Sequence, residues 1–411
     1  MILFKNARIF DGSGAEPFPG DVLVKDNRII AVSRSGDPET AAAGARIVDG
    51  TGSTLMPGMT EAHAHLSWPS SVERFVPGMS LPPDELVSNT ARNARILLDH
   101  GFTSAYSGGA LGKTLEISLK AQIDAGTTPG PRLVPASIER EPPNESAFLA
   151  GGSTAQHGTG VASVRAFVKE CAEKGAKVVK FLLSGESALK PGASMQTLYT
   201  DEEMRAAGEQ ARESGVWLTG HAHCADAIKM GVRNGFRVLY HCTYADDEAI
   251  DMLAARKSEI FIAPTLGIVQ ATLDADPPAH IDMTHMKADA TAVLERQKVL
   301  APRLRRLGIR LLPGGDYGFP FNPNGRNARD LELFVRHLGF TAIEALVAAT
   351  RCGGEIMGME HELGRIEPGY LADLLLVRGD PTRDVTLLQD RDNLLAIMKD
   401  GRFHKAPVTA T

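Results

Sequence analysis

Residues 60–68 read TEAHAHLSW and follow an apolar run, STLMPGM, at residues 53–59. Residues two apart on a strand point to the same side. His63 and His65 can therefore converge on one object, and an imidazole pair commonly grips a metal. Taken alone, the pair has a plainer reading: two polar residues where a strand reaches solvent. The rest of the chain has to decide between them.

Outward from this stretch, strand-length apolar runs recur at residues 54–65, 101–109, 131–139, 176–185, 215–223, 236–243, 259–267 and 309–317. Helical patterns lie between several of them, at 84–101, 160–175, 200–215 and 245–258. The third of these begins TDEE, which offers Thr200 as an N-cap with Glu203 three residues on, and Gly215 stands at its far end. Eight runs, mostly apolar on both faces and alternating with helices, predict an α/β chain folded as a (β/α)8 TIM-like barrel. A doubly wound open sheet is the alternative. Its usual dinucleotide-binding form is weakened because no GxGxxG follows the first run.

The two ends differ from the middle. GDVLVKDNRIIAVS at 20–33 reads as two strands about a turn at Asp26-Asn27, and LADLLLVRGDP and LLAIMKDGRFHK near the C-terminus share that texture. Residues 1–56 and 366–411 are expected to build one composite β-sandwich domain, with the barrel over 57–365, since termini often lie close together.

The 411 residues are 43% hydrophobic and 23% charged, ordinary for a globular chain, and the net charge is −6. No broad basic surface is available for nucleic acid or an anionic membrane. The start, MILFKNARIF, carries Lys5 and no sustained apolar stretch, so neither a signal peptide nor a membrane span is expected. Four cysteines without a CxxC are too few for a disulfide scaffold, which points to a reducing cytoplasm.

In a β/α barrel the chemistry sits at the C-terminal ends of the strands. The first run ends in His63 and His65, and the fourth carries Lys180. The fifth ends in His221 and His223, the sixth in His241, and the eighth in Asp316. Singly these are weak signals: a strand-end histidine is often structural, an Asp after Gly-Gly is often a turn residue, and a lysine can snorkel. Together they form a coincidence, because five of only 12 histidines lie at these ends. Clustered His and Asp on one barrel face are what a catalytic metal requires.

This set resembles the amidohydrolase superfamily. The likeness runs through ARIFDGSG and GDVLVKDNRIIAV, the core LMPGMTEAHAH and the tail LGRIEPGYLADLLLVRGDP. It is nearest to the branch of imidazolonepropionase-like proteins, Xaa-Pro and Xaa-Arg dipeptidases, and ochratoxin-type amide hydrolases. The resemblance implies two divalent metal ions, zinc in the usual case. His63, His65 and Asp316 would hold one, His221 and His241 the other, and a carbamate on Lys180 would bridge them with a hydroxide. It further implies hydrolysis of an amide-type C–N bond by that hydroxide, in an N-acyl amino acid, dipeptide or aryl amide, with Asp316 as catalytic proton shuttle. A homo-oligomer acting on a small-molecule substrate is expected. A lactonase or a cyclic-amide hydrolase on the same centre is the alternative. A metal-free scaffold is disfavoured because all six ligand positions are filled.

For substrate contacts the candidates are His223, His157, Tyr106, Tyr317 and Trp68, each with a packing or structural reading beside the functional one. Arg74 and Arg326 read as surface charges, and Cys224 and Cys242 as small buried apolar residues. Where relatives often carry a histidine after the last-strand aspartate, this chain has PNGRNARDLELF, with Asn324 and Asn327 instead.

Overall fold

The computed structural model describes residues 1–34, 44–70, 81–141, 158–277, 279–319 and 321–407. Five strands form before residue 58: β1 (Ile2–Ile9), β2 (Phe18–Lys25), β3 (Arg28–Arg34), β4 (Arg46–Asp49) and β5 (Ser53–Pro57). Eight belong to the barrel: β6 (Met59–Ala64), β7 (Phe102–Ser107), β8 (Arg132–Val134), β9 (Val178–Leu182), β10 (Trp217–Cys224), β11 (Val238–Tyr244), β12 (Phe261–Ala263) and β13 (Arg310–Leu311). The last three are β14 (Leu374–Arg378), β15 (Leu394–Lys399) and β16 (Arg402–Lys405).

Strands from both ends join one eight-stranded sheet in the order β16-β15-β14-β5-β1-β2-β3, with β4 also paired to β1. The seam between the termini is the antiparallel pair β5–β14, from Leu374 opposite Pro57 to Arg378 opposite Ser53. The sheet branches at β1, which pairs with β4 over Ile2–Lys5 and with β5 at Arg8 and Ile9. Alternation along these strands buries Phe4, Ile9, Val22, Val24, Leu55, Leu374, Leu376 and Met398 as a core of their own.

The first apolar run is divided, although it reads as one strand. Its first half, β5, pairs with β14. After Pro57 the chain changes partners: the Gly58 N–H donates to Asp373 and the Met59 N–H to Gly101. The second half becomes β6, paired in parallel with β7. The HxH stretch thus enters the barrel straight from the terminal sheet.

Parallel pairing runs β6-β7-β8 and β9-β10-β11-β12-β13. Single bridges Ala136–Val178 and Arg140–Phe181 join the two runs, and the Ala62 N–H reaches the Pro313 carbonyl at 3.3 Å on the other side. Helices Pro83–Asp99, Leu115–Asp124, Val161–Glu173, Asp201–Ser214, Ala225–Arg233, Asp247–Ala255, Leu266–Asp274 and Thr284–Arg306 fill the connections, giving a (β/α)8 barrel. Every residue of β6 and β7 is buried, as strands covered on both faces require. Helix Asp201–Ser214 starts on the expected capping box, with Thr200 and Glu203 each accepting from the other's backbone N–H. No described helix is long and apolar enough to cross a membrane.

Candidate metal centre

Parallel strands deliver the polar groups to one end of the barrel. His63, His65, Lys180, His221, His241 and Asp316 are all buried there. His65 Nε2 lies 3.3 Å from His63 Nε2 and 3.0 Å from Asp316 Oδ1. His63 Nε2 lies 3.5 Å from Lys180 Nζ and 3.8 Å from Asp316 Oδ1. The ring of His63 stacks on Tyr240 at 3.5 Å between centroids, which fixes its plane. Lys180 Nζ donates to the Gly108 carbonyl at 2.8 Å. Gly108 has to be glycine, since a Cβ there would stand 2.2 Å from His63 Cδ2. His221 and His241 face each other at 4.3 Å between ring centroids.

Hydrogen bonds behind the rings set their tautomers. His65 Nδ1 meets the Gly109 carbonyl at 3.0 Å and must donate to it, so Nε2 keeps the lone pair. The Thr265 hydroxyl donates to the Pro264 carbonyl, which leaves its oxygen to accept from His241 Nδ1 at 2.6 Å. His241 Nε2 then carries a lone pair, buried and without a partner. His221 Nε2 faces the Gly185 carbonyl at 3.3 Å, so its free lone pair is on Nδ1. His223 differs. Its Nε2 donates to Glu186 at 3.0 Å and its Nδ1 is engaged by the Thr243 hydroxyl at 2.9 Å.

Burial drives His63, His221 and His241 towards neutrality, helped by neighbouring positive groups. His221 is pushed down to about 3, and His63 and His241 fall well below the ordinary value. Burial also lowers Lys180, against the pull of Glu139 and Asp316. The backbone is strained at the same place: His241, Cys242, Thr265 and Asp316 adopt φ of 68°, 52°, 58° and 59°. Such conformations cost about 1–3 kcal/mol each and persist where the surroundings over-determine them.

Two groups of donors lie close enough to hold an ion each: His63, His65 and Asp316, and His221, His223 and His241. Buried imidazoles crowded on one another, with His241 Nε2 unpartnered, beside a carboxylate whose Oδ1 receives no hydrogen bond, fit divalent metals better than they fit a metal-free core.

The chain matches the amidohydrolase family over residues 54–403. It belongs to that family. Ochratoxinase from Aspergillus niger is 23% identical over 97% of this chain and 85% of its own. An imidazolonepropionase from Rubrobacter xylanophilus is 24% identical over 93% of this chain and 90% of its own. A Xaa-Pro dipeptidase crystallised with methionine in its active site superposes with a TM-score of 0.85 at 23% identity, covering 98% of this chain and all of that one. This amidohydrolase is accordingly a hydrolase on a metal-dependent barrel scaffold.

The centre of the amidohydrolase opens into a cavity of about 190 Å³. Its apolar wall includes Trp68, Leu182, Leu189, Leu198, Ile268, Val269, Met286, Val293 and Phe319. Trp68 stands edge-on to His65 at 4.9 Å and packs on Phe319. His223 also lines the cavity. Tyr106 and Tyr317, expected near a substrate, do not. Tyr106 points into the barrel interior and stacks on Trp217, the first residue of β10. Tyr317 turns under the last strand and donates to Asp330 at 3.0 Å. Position just past a strand end does not decide which side of the backbone a ring takes. His157 and Arg74 lie outside the described residues. Arg326 lines a separate surface hollow beside Asp274. Asn327 donates to Glu61 at 2.7 Å, and Asn324 lies 3.3 Å from the His65 carbonyl, so both brace the HxH strand.

Two residues of the site escaped the sequence reading, Glu139 and Glu186. Glu139 closes the third apolar run and sits level with the histidines, a signal the sequence did carry. Glu186 follows β9 on a loop, where no periodicity marks it.

Proposed function

We propose that this amidohydrolase cleaves an amide-type C–N bond with two zinc ions. His63, His65 and Asp316 hold one ion, His221 and His241 the other, and a carbamate on Lys180 bridges them. The observation that carries the reading is the convergence of buried imidazoles and a carboxylate on one cavity, with His241 Nε2 and Asp316 Oδ1 left without a hydrogen bond. A mixed nitrogen and oxygen donor set suits zinc. Support for the carbamate comes from burial, which favours the neutral Lys180 amine that carbon dioxide requires.

When bound, the metal pair supplies a nucleophilic water at neutral pH and polarises the scissile carbonyl. Asp316 takes the proton released as water adds to the carbonyl carbon, and passes it to the nitrogen as the C–N bond breaks. The products are a carboxylic acid and an amine. Trp68, Phe319 and the aliphatic wall hold the apolar part of the substrate and exclude bulk water. Glu139, Glu141, Glu186 and Asp289 also line the cavity, and among the described residues its lysines are Lys180 and Lys190. A neutral or cationic apolar amide therefore suits it better than an N-acyl amino acid or dipeptide with a free carboxylate. The imidazolonepropionase relative supports a cyclic amide as the second reading. The four thiols are free, in keeping with a cytoplasmic setting.

Elemental analysis of the purified protein, paired with a screen of aryl amides, cyclic amides and N-acyl amino acids, tests this. Two metals per chain and turnover of apolar amides are expected. Active protein with one metal or none contradicts the reading.

A further inference from the structure

Glu139 is 5% exposed and sits between two of the groups that the metal reading uses. Its Oε1 stands 3.5 Å from His65 Nδ1, and its Oε2 stands 3.8 Å from Lys180 Nζ. Oε1 has no hydrogen-bond partner. Space for the side chain is made by Gly109, at φ 120°, where a Cβ would stand 2.2 Å from Glu139 Cγ. An uncompensated buried carboxylate is costly, and a hydrophobic residue of similar volume would have filled the same space.

The two oxygens face different things. Oε1 meets the edge of His65 that carries the Nδ1 proton, opposite the Nε2 lone pair directed at Asp316. Oε2 looks at the head of Lys180. We propose that Glu139 is a positioning residue for the metal centre, its charge set behind His65 and beside Lys180, so that it sets how tightly the centre keeps its ions. The Gly109 carbonyl takes the Nδ1 proton at 3.0 Å, and Glu139 adds a negative charge 3.5 Å from the same edge, which raises the basicity of the ring. It also balances charge. Two divalent ions bring four positive charges, which Asp316 and the Lys180 carbamate offset only in part, and Glu139 is a further buried carboxyl within reach that such charge would keep ionised. Its oxygens approach the ring edge away from the lone pair, so it acts through His65 and not as a ligand.

This inference rests on the metal reading above, and the test separates the two. Full-length wild type, Glu139→Gln and Glu139→Ala are stripped, reloaded with zinc and equilibrated against a graded chelator, and the metal retained per chain is measured. Gln keeps the shape and an oxygen facing His65 but loses the charge. Glu139→Gln is expected to release its metal at about 10–100-fold lower chelator strength than wild type, with the metal-free proteins melting alike. A purely structural role would instead lower the melting temperature of the stripped protein and leave the chelator midpoint unmoved. If Glu139→Ala does not fold, Glu139→Gln decides alone. Equal retention by Glu139→Gln and wild type overturns the proposal and leaves the metal reading standing. A wild type that binds no zinc overturns both.

Discussion

At the end of β6, His63 and His65 bring their Nε2 atoms to 3.3 Å from each other, and Asp316 Oδ1 lies 3.0 Å from that of His65. On β10, His221 and His223 have the same spacing but part company. His221 keeps a free Nδ1, whereas both nitrogens of His223 are taken by Glu186 and Thr243. Two-residue spacing places both side chains of a pair on one face of the strand. It does not decide which lone pairs are left. That is decided by the acceptors behind the rings: Gly109 for His65, Gly185 for His221, Thr265 for His241.

The comparison breaks most visibly at the first pair. His63→Ala and His65→Ala should each lose metal from the His63/His65/Asp316 site and abolish turnover, because neither ring has an alternative partner of equal strength. Elemental analysis with an amide assay checks this. If one of the two variants kept full activity, β6 would resemble β10 and the contrast would fail.

Next in size is Asp316→Asn. The amide keeps an oxygen beside His65 but cannot carry the proton, so turnover should fall about 10²–10⁴-fold while at least one metal remains bound. Near-normal rates would remove Asp316 from proton transfer.

Thr265→Val sharpens the argument about tautomers. It deletes the acceptor at 2.6 Å from His241 Nδ1 while nearly keeping the shape. Metal affinity should fall about 10–100-fold, as for other groups that orient a ligand from behind, and a chelator titration reads it.

The smallest effect is expected at Tyr106→Phe, away from both pairs. The Tyr106 hydroxyl is buried without a partner, so removing it should leave kcat and KM within about twofold and stability unchanged or slightly raised. A large loss of activity would return Tyr106 to the substrate pocket.

Most of the barrel could be read in the sequence, because apolar runs covered on both faces have few other uses. All eight runs recur as strands, and the capping box at Thr200 forms as written. The division of the first run between β5 and β6 was not legible, since an extended chain keeps its pattern when it changes partners. At the site, Lys180 stood out because a lysine inside an apolar run demands a reason. Glu139 did not, although it ends its run as His63 ends another; a glutamate at a strand end is commonplace until its neighbours are known. Tyr106 and Tyr317 stayed open between pocket and packing, because sequence places a ring along the strand and not on one side of it.

The central claim is that hydrogen bonding, and not spacing, selects one histidine of the second pair as a ligand. The direct test is the zinc content of purified His221→Ala and His223→Ala. His221→Ala should lose one of two zinc ions and all activity. His223→Ala should keep both ions and change KM or substrate preference instead, since a group that binds substrate and transition state alike acts that way. Zinc lost from His223→Ala and retained by His221→Ala would contradict the account.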